Sequence, residues 1–147
     1  MGEPWVVHCD GSAVPNPGRM GLGALLVDPD GKRHPISRSC SGTGCNNEAE
    51  VRAFIAALDA LKALGATALV AYSDSSILVE QIAGTDAAPI PRLALLYEEA
   101  RAALAAFEQA DVHWIPGHRN READALARAA LGLPPRPVPR LRLKKKR

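Results

Sequence analysis

The order of its periodicities most constrains how this chain can fold. Three strand-like apolar runs come first and close together, at residues 5–9, 21–28 and 33–40, with the turn sequence "PDGK" between the second and third. Helical and strand-like periods alternate after that. From Glu48 to Leu64 the period is helical, with Val51, Phe54, Ile55, Leu58 and Leu61 on one side and Gly65 as the stop. "ATALVAYSD" reads as a fourth strand, "SSILVEQIAG" as a short helix, "TDAAPIP" as a loop, residues 92–108 as a long Ala/Leu helix, "DVHWIPG" as a fifth strand and residues 120–131 as a last helix. Strands joined by tight turns pair antiparallel, whereas strands joined through helices add in parallel. The expectation is therefore an α/β fold: a five-stranded mixed sheet, its first three strands antiparallel, flanked by helices. Parallel additions of this kind place ligands at the carboxyl ends of the strands.

A chain of 147 residues can close one sizeable core. Its net charge of +2 says little, but the distribution says more. Seven of the eighteen basic residues, Arg136, Arg140, Arg142, Lys144, Lys145, Lys146 and Arg147, fall after Gly132 and no acid accompanies them. The first 131 residues carry eleven basic against sixteen acidic side chains. This divides the chain into a mildly acidic domain, residues 1–132, and a basic, proline-rich tail, residues 133–147, expected to be disordered. Cys9, Cys40 and Cys45 form neither a disulfide framework nor a metal-binding spacing, and no signal peptide is expected ahead of them. Free thiols in a reducing, cytoplasmic setting are expected. The apolar runs are too short and interrupted for a membrane span.

Two acids stand where strands are expected to end, Asp10 after the first run and Asp74 after the fourth. An ionised carboxylate at a core boundary is costly unless something compensates it. Either acid alone could cap a strand end by accepting turn N–H groups. Two of them converging at one sheet edge repel unless a cation lies between them. The first helix offers Glu48 and Glu50. At about 100° per residue, Glu50 lies over Phe54, Leu58 and Leu61 and heads the buried stripe. Glu48 falls with Arg52 and Asp59 on the opposite, solvated face, where an i,i+4 ion pair with Arg52 explains it. The last helix offers Asp124, flanked by Arg121 and Arg128 as possible partners. Four acids from four elements suit hard divalent cations, and a pair of such ions can drive phosphodiester hydrolysis.

Four blocks together, "DGSAVPNPG", "NNEAE", "YSDSSIL" and "WIPGHRNREADALARAAL", resemble the type 1 ribonuclease H family in order and spacing over residues 5–131. The resemblance implies a ribonuclease H-like fold and a metal-dependent endoribonuclease. Such an enzyme hydrolyses the RNA strand of RNA–DNA hybrids to 3′-hydroxyl and 5′-phosphate products. It implies two Mg²⁺ or Mn²⁺ ions held by Asp10, Glu50, Asp74 and Asp124, with His118 moving protons and helping release product. An imidazole suits that role, although an exposed loop histidine is the alternative. Substrate contacts are implied for Gly11, Ser12, Asn16, Asn46, Asn47 and Ser76. Asn16, Asn46 and Asn47 would lie along the minor groove of the hybrid, where 2′-hydroxyls can both donate and accept. A turn or helix cap is the competing reading of each Asn.

Two departures bear on substrate grip. The basic, Trp-rich insertion of the longer bacterial forms is absent, since "AGTDAAPIPRLALLYEEAR" runs directly into the next helix, and Ser76 stands where the family commonly has Gln. The basic tail could compensate by binding phosphates without sequence preference, or be a solubilising extension. Trp5 and Trp114 read as core, and His8, His34 and His113 as structural. The expected partner is an RNA–DNA hybrid bound by a monomer, with no membrane association. The rivals are another nuclease of the same fold and a nucleic-acid-binding module that has lost catalysis.

Overall fold

The first strand, β1 (Trp5–Val14), runs up the middle of the molecule and continues well past Asp10. The structure, a computed structural model, describes residues 2–84 and 90–137. β2 (Gly18–Val27) and β3 (Arg33–Gly44) complete the antiparallel meander, and β4 (Ala68–Ser73) and β5 (Gln109–Trp114) add in parallel on the other side of β1. The strand order is β3-β2-β1-β4-β5. The helices are α1 (Asn46–Ala63), α2 (Ser76–Ala83), α3 (Ala94–Ala105) and α4 (Arg121–Ala130), with 3-10 turns at Pro91–Leu93 and Gly117–Arg119. The expected five-stranded mixed sheet is present.

The lengths of the strands differ from expectation for a physical reason. β1 pairs with β2 from Val6↔Val27 to Val14↔Arg19, whereas its pairing with β4 ends at His8↔Tyr72. The partner strand, rather than the weak strand propensity of "GSAV", carries β1 to Val14. Asp10 is thus inside a strand, at the level where the sheet parts between β1 and β4. The helix expected at 92–108 begins as a 3-10 turn at Pro91, which lacks an N–H to donate, and its α-helical part ends at Ala105. Part of the "TDAAPIP" loop, residues 85–89, and the tail from 138 onward lie outside the described residues.

One side of the sheet holds the main core. Val7, Cys9, Ala24, Leu26, Leu69 and Ala71 pack against Val51, Phe54, Leu58 and Leu61 of α1 and Tyr97 of α3, all buried. Removing a buried aromatic such as Phe54 from a core of this kind costs roughly 3–5 kcal/mol. α4 covers the other side and closes on β2 through small residues, with Ala123 and Ala127 fully buried. Among the described residues no helix is long and apolar enough to cross a membrane.

Candidate active site

Two close backbone approaches bring the acids together. A Cβ built on Gly11 would lie 2.2 Å from the Ala49 carbonyl and 2.6 Å from the Glu50 nitrogen. Only glycine lets the first turn of α1 press onto β1 here, and that contact sets Glu50 against Asp10. Gly11 N–H then donates to Glu50 Oε2 at 3.3 Å. On the opposite face, a Cβ on Gly23 would meet the Ala123 carbonyl oxygen at 2.3 Å. Gly23 is the β2 residue directly across from Asp10. Seating α4 there delivers Asp124, the next residue, to the Asp10 side of the sheet. Asp74 follows β4, two residues beyond the Tyr72 that pairs with His8, and so matches Asp10 in register.

Carboxylate oxygens of Asp10, Glu50 and Asp74 all lie within 4.8 Å of one another. Crowding and burial act in the same direction. The Asp10 carboxyl is pushed up to about 8 by desolvation first, then by the Asp74 charge and a hydrogen bond with Asp124. Glu50 is raised well above the usual carboxylate range by desolvation, then by the charges of Asp10 and Asp74. Asp74 is raised by desolvation, against a hydrogen bond from Asn120. Asp124 stands one step out of the triad and is ion-paired, with Arg136 Nε 3.1 Å from its Oδ2. The four acids line one cleft of about 500 Å³ with Gly11, Ser12, Asn46, His118, Arg121 and Arg136.

The remaining predicted residues divide. Gly11 and Ser12 are in the cleft wall and His118 is at its exposed lip. Asn46 lines the cleft, and its Oδ1 accepts from Ala13 N at 2.8 Å. Asn16 Oδ1 accepts the Asn46 N–H at 3.1 Å, so a side chain from the β1–β2 turn caps α1, whose own N-cap residue Cys45 supplies no side-chain bond. Asn47 and Ser76 are not in the cleft lining; Ser76 is exposed at the start of α2, with Ser75 as the capping residue. Three expectations are corrected. Glu48 is not solvated: it is 8% exposed and held by Arg52 at 2.8 Å and by Arg92 at 3.0 Å. The Arg52 pair was expected, but Arg92 closes over it from across the fold. Trp114 is 53% exposed on the edge strand, its indole N–H donating to the Asp74 carbonyl. Arg128 does not pair with Asp124 but donates to the Pro134 carbonyl.

Sequence reasoning missed Asn120. It is 1% exposed, its Nδ2 donates to the Cys9 carbonyl at 2.9 Å, and its Oδ1 has no partner among the described residues. An Asn just before an acidic helical turn signals an N-cap, yet this side chain turns inward and braces β1 and Asp74 instead.

The donor set fits a divalent cation. It is all oxygen, as Mg²⁺ and Mn²⁺ prefer. Cys9 offers no thiolate, because burial, followed by the charges of Glu50, Asp10 and Asp74, pushes its thiol well up. Among the described residues no Lys or Arg forms an ion pair with Asp10, Glu50 or Asp74.

A β3-β2-β1-β4-β5 sheet with acids gathered where β1 and β4 part defines a ribonuclease H-like α/β protein. The chain matches the family described as Reverse transcriptase-like over residues 8–130. It is similar to the crystal structure of RNase H1 from the halophilic archaeon Halobacterium salinarum NRC-1, at a TM-score of 0.83 and 31% identity over 88% of this chain and 98% of that one. LC11-RNase H1, solved in complex with RNA/DNA hybrid, superposes at a TM-score of 0.78 with 27% identity over 87% of this chain and 96% of that one. The bifunctional protein Rv2228c of Mycobacterium tuberculosis is 37% identical over 127 residues, which are 86% of this chain. The chain spans only 35% of the length of that mycobacterial relative. The chain belongs to the type 1 ribonuclease H family.

Proposed function

We propose that this protein is a metal-dependent endoribonuclease that hydrolyses the RNA strand of RNA–DNA hybrids, leaving 3′-hydroxyl and 5′-phosphate ends. One observation carries the reading: oxygens of Asp10, Glu50 and Asp74, from three separate elements, lie within 4.8 Å of one another and form no ion pair with a basic side chain among the described residues. Family membership supports it, as does the hybrid bound to the similar LC11-RNase H1.

In this reading Asp10, Glu50, Asp74 and Asp124 hold two Mg²⁺ or Mn²⁺ ions. When bound, the pair activates a water and stabilises the leaving oxygen. Asp10 and Glu50 release their protons to take up that role. We assign to His118 the proton that the leaving O3′ takes up as the bond breaks. Asn120 holds β1 and Asp74 in place from behind. Gly11, Ser12, Asn16, Asn46, Asn47 and Ser76 meet the hybrid. The Asn16 and Asn46 oxygens are engaged within the chain, which leaves their amide nitrogens to donate to 2′-hydroxyls. Residues 1–132 form the catalytic unit, and the basic residues beyond add phosphate contacts that weaken as salt rises.

The test incubates end-labelled hybrid, duplex RNA and duplex DNA with Mg²⁺, Mn²⁺ or EDTA, alongside Asp10→Asn. Hybrid-selective cutting that needs the metal and disappears in the variant is expected. Equal cutting of duplex DNA overturns the substrate, and cutting in EDTA overturns the metal dependence.

A further inference from the structure

The chain does not leave the molecule when α4 ends. Gly132, at φ 74°, turns it back, with Gly132 N–H donating to the Ala129 carbonyl and Leu133 N–H to the Arg128 carbonyl, both at 3.0 Å. That bond pattern reverses a chain at a helix C-terminus. Residues 133–137 then retrace α4 toward its N-terminus. Arg128 Nε donates to the Pro134 carbonyl at 2.8 Å, and one turn earlier on the helix Arg136 Nε lies 3.1 and 3.3 Å from the two oxygens of Asp124. The spacings match. Four helical residues, 128 back to 124, span about 6 Å, and two residues of extended proline-rich chain, 134 to 136, span about the same. Pro134, Pro135 and Pro137 hold the segment to this form. Arg136 and Pro137 line the same cleft as Asp10, Glu50 and Asp74.

We propose that residues 133–137 are a latch whose Arg136 competes with a divalent cation for Asp124. The proposal rests on the reading of the four acids as a metal site. A guanidinium and a metal cation on one carboxylate draw on the same negative charge and repel each other, so each weakens the other's hold on Asp124. Asp10, Glu50 and Asp74 form no ion pair among the described residues, and although the Arg136 charge reaches Asp74, it is bonded to Asp124, so the competition falls chiefly on the cation that Asp124 helps to hold. The linkage is reciprocal: Arg136 weakens that cation, and the cation frees the basic segment from α4. The Arg136 side chain is 61% exposed and that of Asp124 16%. A half-exposed pair of this kind sets a modest bias, about two- to sixfold in apparent cation affinity. The site is thereby tuned to fill at a higher cation concentration than its four acids alone would need, and filling it hands a positive side chain to the cleft mouth, where phosphates of the substrate arrive.

The experiment measures Mn²⁺ binding to the full chain by calorimetry, with and without Arg136→Ala, in wild-type and Asp124→Asn backgrounds. Arg136→Ala is expected to tighten the weaker cation about two- to sixfold, and to have a clearly smaller effect once Asp124 is Asn, when only its charge on Asp74 remains. In parallel, the Arg136 Nε–H resonance is expected to move to the position of a free arginine as Mg²⁺ is added. Unchanged or weaker cation binding in Arg136→Ala overturns the latch, as does an Arg136 resonance that ignores Mg²⁺. If hybrid cleavage is seen while Arg136→Ala leaves cation affinity unchanged and raises KM, Arg136 serves the substrate; the latch fails and the proposed function stands. Competition without hybrid cleavage leaves the latch and sinks the function. No Mn²⁺ binding at all overturns both.

Discussion

Glu48 and Glu50 sit two residues apart near the start of one helix, yet their surroundings are opposite. Glu48 is buried between two arginines, Arg52 at 2.8 Å and Arg92 at 3.0 Å. Burial alone would raise its carboxyl, but the hydrogen bonds and charges of both arginines hold it below the usual range. Glu50 faces Asp10 and Asp74, and desolvation and their charges push it well up. Asp124 is intermediate, with one arginine. The chain pairs Glu48 with cations of its own and gives Glu50 none among the described residues, as the proposed external metal ions would require. A carboxylate count would not separate these acids; their partners do.

The sharpest way to break that contrast is to neutralise each glutamate in turn. Glu50→Gln is expected to lower hybrid cleavage by about 10²–10³-fold or more, the scale of losing an electrostatic contact to the reacting centre. Glu48→Gln is expected to leave the rate within a few-fold of wild type. Single-turnover cleavage of end-labelled hybrid measures both. Equal losses would mean that the two environments differ in form but not in role.

The contrast also predicts opposite responses to pH and metal. Without metal, Asp10 titrates at about 8 in the folded protein against an ordinary 3.8. Between those values the folded protein holds a proton that the unfolded chain releases, so stability falls as pH rises through that window and levels off above about 8. Glu50 and Asp74 are shifted in the same direction and add to the slope. In EDTA, Tm is therefore expected to drop by roughly ten degrees from pH 5 to pH 8 (three pH units at about 1.4 kcal/mol each for Asp10, at about 2–4 °C per kcal/mol in a domain of this size). If the ionised acids take up Mg²⁺ as proposed, its stabilisation is expected to grow with pH. Asp10→Asn, which removes the charge, is expected to raise Tm at pH 8 in EDTA while abolishing cleavage. A flat Tm between pH 5 and 8 would show that the triad is already relaxed by water or by movement.

Much of this architecture is legible in local pattern, and what is not depends on distant partners. The order of periodicities carries the mixed sheet, and helix phase sets Glu50 and Glu48 on different faces, though it wrongly expects Glu48 to be solvated. Four features escape such reasoning. The run of β1 past Asp10 depends on its pairing with β2 as far as Arg19. The burial of Glu48 depends on Arg92, forty-four positions away. The inward turn of Asn120 depends on the Cys9 carbonyl, 111 positions away. Gly23 looks like an unremarkable strand glycine until α4 is seen against it, with a Cβ there meeting the Ala123 carbonyl at 2.3 Å. Gly23→Ala is expected to cost about 1–3 kcal/mol by overpacking. It is also expected to lower cleavage more than an equally destabilising core change such as Leu61→Val, because α4 carries Asp124 away with it. Urea melts and cleavage rates of the two variants, compared at matched folded fraction, test this.

The smallest effect concerns Glu48 itself. Removing one partner of a buried ion pair costs about 3–5 kcal/mol when the survivor stays buried and charged. Here the survivors are half-exposed: the side chains of Arg52 and Arg92 are 38% and 56% accessible. They can turn to water, so most of that penalty disappears. What is lost is the set of charge-assisted bonds tying the first turn of α1 to Arg92 just before α3, and Glu48→Gln is expected to cost about 1–2 kcal/mol. Gln keeps the shape and one acceptor, whereas Glu48→Ala also opens space beside Gly44, where a Cβ would meet the Glu48 carboxyl at 2.8 Å, and is expected to cost more. The decisive comparison is the double mutant with Arg92→Ala. If Glu48 is purely structural, the pair couples in chemical denaturation and not in cleavage rate. Coupling in the rate would mean that the arginine cage around Glu48 positions Glu50, and that the two ends of the contrast are mechanically one.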